Sequence, residues 1–352
     1  MTGKGTRGER FSQFSRPLHE QTNGSDIFRT MHKPLPRQTP RALNPPANVR
    51  EPYTFFESVR EHPLQPLDAA LNLRNAWWMA DAALLAYSSP AAVESAFTTA
   101  GMAAAVRHFH GVHSTQAYVA SLPDAIVLTF RGTQVDDFWS SVLDFLVDVQ
   151  FLPVPDPAGH LVHAGFNAAL GEVWTDIERH LRAEQARLPR PLWVTGHSLG
   201  AALATLAASR LSADASFRLQ GGYTFGSPRV GDRAFAKAIG VPIYRFRNDS
   251  DIVPRLPLGF VHVGHLQFID GAGHLHRNLT KTLEAMLDPA AKMISAREAM
   301  TVRQVVGSGE GLELPLVGFL ADHAPINYTV LVWNCYDASL AGGPAAGGAV
   351  TV

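Results

Sequence analysis

A single cysteine, Cys335, in 352 residues rules out an intrachain disulfide, so the chain must hold together by burial and hydrogen bonding alone. A surplus of charge is missing too. Thirty Lys and Arg stand against 31 Asp and Glu, a net charge of −1, which gives no reason to expect nucleic acid as a partner. No apolar run is long enough to span a bilayer, and the most apolar early stretch, residues 76–87, is short and carries Asp81. The first residues are polar and charged, without the apolar stretch of a secretory signal. A cytoplasmic location is therefore the default expectation, with export by a route that leaves no such signal as the exception. What is present is ample apolar material: 46% hydrophobic residues and a mean hydropathy near zero suit one large core.

Residues 1–50 hold nine Lys/Arg and three Asp/Glu, a local charge of +6, with few large apolar side chains. Residues 1–52 are expected to be a disordered basic tail, 53–340 the globular domain, and the glycine-rich 341–352 a second flexible tail. Within the domain the patterns predict helices over 69–86, 91–101 and 164–186. Strands are predicted over 116–121, 125–130, 149–154, 192–195, 219–225 and 243–248. Apolar strands alternating with helices indicate an α/β fold, a mainly parallel central sheet with helices on both faces.

The segment Leu192-Trp193-Val194-Thr195-Gly196-His197-Ser198-Leu199-Gly200 is a short apolar run followed by G-x-S-x-G, and an Ala/Leu-rich helical stretch comes next. That is the strand–turn–helix setting of a nucleophile elbow. Gly196 and Gly200 lack Cβ atoms, so strand and helix can close around the turn. The new helix offers free N–H groups and a positive dipole end beside Ser198. A serine nucleophile needs a base, an orienting acid and an oxyanion hole, which other parts of the chain must supply.

Several further motifs occur in order: Phe130-Arg131-Gly132-Thr133, His163-Ala164-Gly165-Phe166, Thr224-Phe225-Gly226-Ser227-Pro228-Arg229-Val230-Gly231, Asp251-Ile252-Val253-Pro254 and Asp322-His323. Together with the elbow, this series over roughly residues 75–336 resembles the class 3, or fungal-type, lipases of the α/β-hydrolase fold. The resemblance implies Ser198 as nucleophile, Asp251 as triad acid and His323 as base, the last in a late loop before an aromatic-rich strand containing Tyr328. Asp249 is the competing acid, with a turn-forming role as its plainer reading. His262, His265, His274 and His276 are the other downstream histidines, and His262 falls on an H-x-G element of the family's sheet. The oxyanion donors implied are the backbone N–H of Leu199 and the residue after F-R-G, Thr133.

Between Thr133 and residue 149, apolar side chains recur at three- and four-residue steps, with Phe138, Trp139, Val142 and Leu143 among them. This predicts an amphipathic helix, and the resemblance makes it a helical lid that contacts substrate. A fixed surface helix is the alternative. Fifteen histidines include close pairs, yet no cysteines or paired acids sit with them at zinc-site spacing, so no metal and no cofactor are expected. The chain departs from the family in lacking its disulfides and in a long insert between acid and base, with a helix predicted over 279–306 and an apolar run at 314–320.

The expected activity is hydrolysis of carboxylic esters, acylglycerols foremost, through an acyl-enzyme. Esterase or phospholipase action on other acyl esters is the alternative, and a non-catalytic lipase-like binding protein is the rival outside enzymes. The expected partner is a lipid or acyl-ester substrate at a lipid–water interface, with no nucleic acid, no transmembrane segment and no obligate protein partner.

Overall fold

The computed structural model describes residues 33–35, 53–132, 152–257, 259–277, 279 and 321–342. The expected lid, Thr133, the first part of the strand at 149–154, the helix at 279–306, the run at 314–320 and most of both tails lie outside them.

Chain order in the described part starts with α1 (Leu73–Leu85), α2 (Pro90–Thr99), β1 (Ala105–His110), β2 (Gln116–Ser121) and β3 (Ile126–Phe130). It continues through β4 (Pro153–Pro155), β5 (Leu161–His163), α3 (Ala164–Arg187), β6 (Leu192–His197), α4 (Leu199–Ser212) and β7 (Leu219–Phe225). After α5 (Arg233–Ala238) and β8 (Ile243–Asn248) come β9 (His265–Ile269), β10 (Leu275–His276) and α6 (Pro325–Leu340). Eight strands form one sheet in the order β1-β2-β3-β6-β7-β8-β9-β10. The run β3-β6-β7-β8-β9 is parallel, and antiparallel pairs close both margins.

Neighbouring residues on one strand face opposite sides of the pleat, so a strand buried on both faces feeds two cores. Val127 and Trp193 join Trp77, Trp78 and Trp333 on the face covered by α1 and α6, whereas Leu128 and Val194 join Phe166, Leu170, Leu203 and Leu206 under α3 and α4. Trp77 meets Trp333 edge-on with ring centroids 4.7 Å apart, which locks α1 to α6 across a contact 256 residues apart in sequence. Asn72 caps α1 by accepting from Arg74 N and Asn75 N, and Asp232 caps α5 by accepting from Phe235 N at 2.7 Å. Asp81 lies wholly buried on α1, where it accepts from the Tyr53 hydroxyl at 2.7 Å and Phe56 N at 2.6 Å. Lys33 exchanges two hydrogen bonds with the Asn334 side chain on α6.

Two expectations change. Pro153–Pro155 pairs only with Leu161–His163 in a separate two-stranded ribbon and takes no place in the main sheet. The segment after His323 is a helix, not a strand. Thr329, Val330, Val332 and Trp333 read locally as strand formers, but Pro325 stands at the first helical turn and burial against α1 decides the outcome.

Candidate active site

Strand β6 ends at His197 and α4 begins at Leu199, so Ser198 alone makes the turn. Its backbone has φ 57° and ψ −126°, a conformation that non-glycine residues adopt only at a cost. The glycines on either side make this possible. A Cβ on Gly196 would run into the Gly200 backbone, and one on Gly200 into the end of β3. Ser198 N–H donates to Phe225 O at 3.0 Å, which ties the turn to the end of β7.

Asp251 lies three residues past β8, where loops collect at the carboxyl edge of a parallel sheet. His323 stands two residues before α6. Ser198 Oγ is 2.8 Å from His323 Nε2, and His323 Nδ1 is 2.9 Å from Asp251 Oδ2. All three side chains are buried, Asp251 and His323 completely. Two further donors reach the carboxylate: Val253 N–H at 3.0 Å on Oδ1 and the Tyr328 hydroxyl at 2.6 Å on Oδ2. Burial, reinforced by the Asp251 charge, holds the Tyr328 phenol well above its ordinary pKa, so it stays a donor. Asn248 N–H donates to the same phenol oxygen at 3.0 Å. Gly226, at φ 57°, passes so close that a Cβ there would stand 2.9 Å from both Asp251 Oδ2 and His323 Nδ1.

The carboxyl of Asp322 accepts from Ser250 N at 3.1 Å, and its carbonyl accepts from Asn248 Nδ2 at 3.0 Å. Its pKa is pushed up to about 7 by burial first, then by the charges of Asp249 and Asp251, against the pull of the Ser250 hydrogen bond.

The competing residues go elsewhere. Among the described residues the Asp249 side chain reaches the Ser250 hydroxyl, at 3.4 Å, and neither Ser198 nor His323. His276 Nε2 is 2.8 Å from Asp270, His274 Nδ1 is 3.5 Å from the same carboxylate, and His265 lies against Tyr244. His262 is half-buried near Arg245, Arg229 and Arg247, and its pKa falls well below the usual range, chiefly through desolvation and then through those charges. Leu199 N–H heads α4, where first-turn amides have no intrahelical acceptor. Thr133, Phe138, Trp139, Val142 and Leu143 lie outside the described residues, though Gly132, the neighbour of Thr133, is described. Among the described residues no group of three or more His, Cys, Asp or Glu could hold a metal ion, and no helix is long and apolar enough to cross a membrane.

Sequence reasoning missed the contacts of Tyr328, Asp322, Tyr87 and His197. His197 was visible as the variable residue of G-x-S-x-G, and Tyr328 as an aromatic five residues after His323. Only the helical course of α6 reveals that Tyr328 points back at Asp251.

Residues 127–261 match the family model described as lipase (class 3). A lipase from Rhizomucor miehei is 36% identical over 176 residues, 45% of this chain and 46% of that protein. A protein named secreted mono- and diacylglycerol lipase A, from Penicillium cyclopium, is 38% identical over 165 residues, 43% of this chain and 51% of its own. The chain thus spans about half the length of the curated relatives it matches. Among solved structures, the native propeptide complex of Rhizomucor miehei lipase aligns with a TM-score of 0.50 at 26% identity, over 68% of this chain and 84% of that one. Another, described as a fungal lipase, aligns with a TM-score of 0.50 at 26% identity over 72% and 94%. The sheet is that of an α/β-hydrolase.

The expected cytoplasmic location is corrected by these findings, because relatives from Penicillium cyclopium and Fusarium solani are named as secreted. A polar start to the sequence speaks only to one kind of leader, and a lone cysteine only to disulfides; neither fixes a compartment.

Proposed function

We propose that the chain, whose residues 127–261 match the class 3 lipase family model, is a serine hydrolase of carboxylic esters that acts on acylglycerols. One observation carries the reading: Ser198 Oγ lies 2.8 Å from His323 Nε2 while His323 Nδ1 lies 2.9 Å from Asp251. In this reading His323 takes the serine proton as Oγ attacks the ester carbonyl, and Asp251 fixes the tautomer that leaves Nε2 free to accept it. The oxyanion is met by the N–H of Leu199 and by Thr133. The imidazolium then protonates the departing alcohol, and water repeats the sequence on the acyl-enzyme. No cofactor enters these steps.

Acylglycerols are supported as substrates by the names of the relatives, which include mono- and diacylglycerol lipases. The segment 135–146, with Phe138, Trp139, Val142 and Leu143, serves as the lid and meets the lipid–water interface. Residues 53–340 form the catalytic domain, with 1–52 and 341–352 as tails.

A fluorophosphonate probe forms a covalent bond with an activated serine. Wild-type protein is expected to be labelled at Ser198 and to hydrolyse p-nitrophenyl esters, and Ser198→Ala to lose both while its thermal midpoint changes little. A folded Ser198→Ala protein that keeps most of its activity removes the assignment. A panel of acyl-chain lengths then separates lipase from esterase action on dissolved esters.

A further inference from the structure

His197 is a titratable group in the middle of the site that the steps above do not use. Its ring is wholly buried, 4.6 Å from that of His323 between centroids. Nε2 lies 2.7 Å from the backbone carbonyl oxygen of His323, and Nδ1 lies 2.9 Å from the Tyr87 hydroxyl. Tyr87, just past α1, also has a hydrogen bond to the backbone of Gly132, the residue that precedes Thr133.

The chemistry of the last acceptor fixes every proton in this chain. A carbonyl oxygen only accepts, so His197 Nε2 carries a hydrogen. Burial, with His323 beside it, holds the His197 pKa well below its ordinary range, so the ring is neutral and Nδ1 is an acceptor. The Tyr87 hydroxyl therefore donates to Nδ1, and its oxygen is left to accept from Gly132 N–H. Burial also raises the Tyr87 pKa, which keeps the phenol protonated. The result is a one-way series of donors, Gly132 N–H to Tyr87 O–H to His197 Nε2–H to the His323 carbonyl. In a dry interior such bonds polarise one another in the same sense.

We infer that Tyr87 and His197 are positioning residues that couple the oxyanion turn to the catalytic base by holding the His323 carbonyl at a fixed distance from Gly132. This rests on the hydrolase reading given above. The glycine of the F-R-G motif belongs to the same device. A Cβ at residue 132 would overlap the Tyr87 hydroxyl and stand 2.8 Å from the His197 carbonyl oxygen, so a side chain there would push the phenol off its partner. The elbow thus carries two neighbouring tasks: Ser198 supplies the nucleophile, and His197 reaches a residue 126 positions further along the sequence to seat its base.

The test uses the full chain and a dissolved substrate, p-nitrophenyl butyrate. Tyr87→Phe removes one hydroxyl and keeps the ring; His197→Gln keeps an N–H donor, and His197→Leu keeps none. Tyr87→Phe is expected to lower kcat by about tenfold with KM nearly unchanged, as a displacement of the base by a fraction of an ångström would do. The acid limb of its kcat/KM profile should move to lower pH, because a looser His323–Asp251 contact stabilises the imidazolium less. His197→Gln should retain at least several-fold more activity than His197→Leu at equal thermal midpoint. Fluorophosphonate labelling rates at Ser198 should follow the same ranking. A labelled wild type whose Tyr87→Phe variant keeps both kcat and pH profile overturns the relay alone. Equal activity in His197→Gln and His197→Leu does so too. A wild type that takes up no probe overturns the hydrolase reading and the relay with it.

Discussion

Ser198 stands on a turn whose shape is set by glycines two residues to either side, Gly196 and Gly200. His323 is seated by groups far off in the chain: Asp251 at a separation of 72 residues, Asn248 through the Asp322 carbonyl at 74, and His197 at 126. The proposed nucleophile is therefore a local structure, complete once one strand and one helix meet. The proposed base is an assembly, correct only when β6, the loop after β8 and α6 have all docked. Defects at the elbow act through backbone clashes, whereas defects at the base act through hydrogen bonds that can be removed one at a time.

The sharpest way to break this contrast is at the acid. Asp251→Asn is expected to lower turnover by about 10⁴-fold, because the amide favours the wrong tautomer of His323. Asp249→Asn, two residues away, should stay within a few-fold of wild type. Steady-state rates on a dissolved p-nitrophenyl ester decide it, and comparable losses would mean that the loop rather than one carboxylate holds the base.

A smaller effect is expected from Tyr328→Phe. It deletes the 2.6 Å donor to Asp251 and leaves the buried Asn248 N–H without its phenol acceptor. Turnover should fall by about 10- to 100-fold, the usual scale for a supporting contact. Stability should fall by about 1–3 kcal/mol for the unsatisfied amide. A denaturant midpoint measured beside kcat shows whether both drop. Loss of stability alone would make Tyr328 a packing residue.

The smallest expected effect on activity comes from Asp81, whose partners are Tyr53 and Phe56 and not the triad. Burial raises its pKa to about 6, opposed by the Lys33 charge and by the donors Phe56 N–H and Tyr53 O–H. The folded state thus holds this proton more tightly than the unfolded chain. Its contribution to stability is full below about pH 4 and is lost as pH rises through about 6. Thermal midpoints should decline over that interval, and Asp81→Asn should flatten the decline by up to about 3 kcal/mol. Labelling at Ser198 should be unchanged. An identical pH profile in the variant would show that another group is responsible.

The same contrast sets how far the sequence could be read. Strands β2, β3, β6, β7 and β8 and the elbow were legible because their information is local: apolar runs, a glycine pair, a helix start. Asp251 and His323 came from motif order, and geometry brought them together with Ser198. Strand β1 escaped notice because it is half exposed and rich in His and Arg, with only Phe109 buried. Strand β9 starts at His265 and carries Gln267 between its apolar residues, which hides its place in the parallel run. Helix α6 was misread because its β-branched and aromatic residues favour strands locally, and only packing against Trp77 on α1 makes them helical. The relay through Tyr87 was invisible for the plainest reason: its members come from four separate stretches of chain.

The turn at Ser198 has a bearing on how such a protein responds to substitution. A serine at φ 57° and ψ −126° occupies backbone space that glycine enters freely, at a penalty of about 1–3 kcal/mol. Replacement by glycine would therefore tend to relax the fold at the very position where it ends the chemistry. At this one position stability and the proposed chemistry therefore pull in opposite directions.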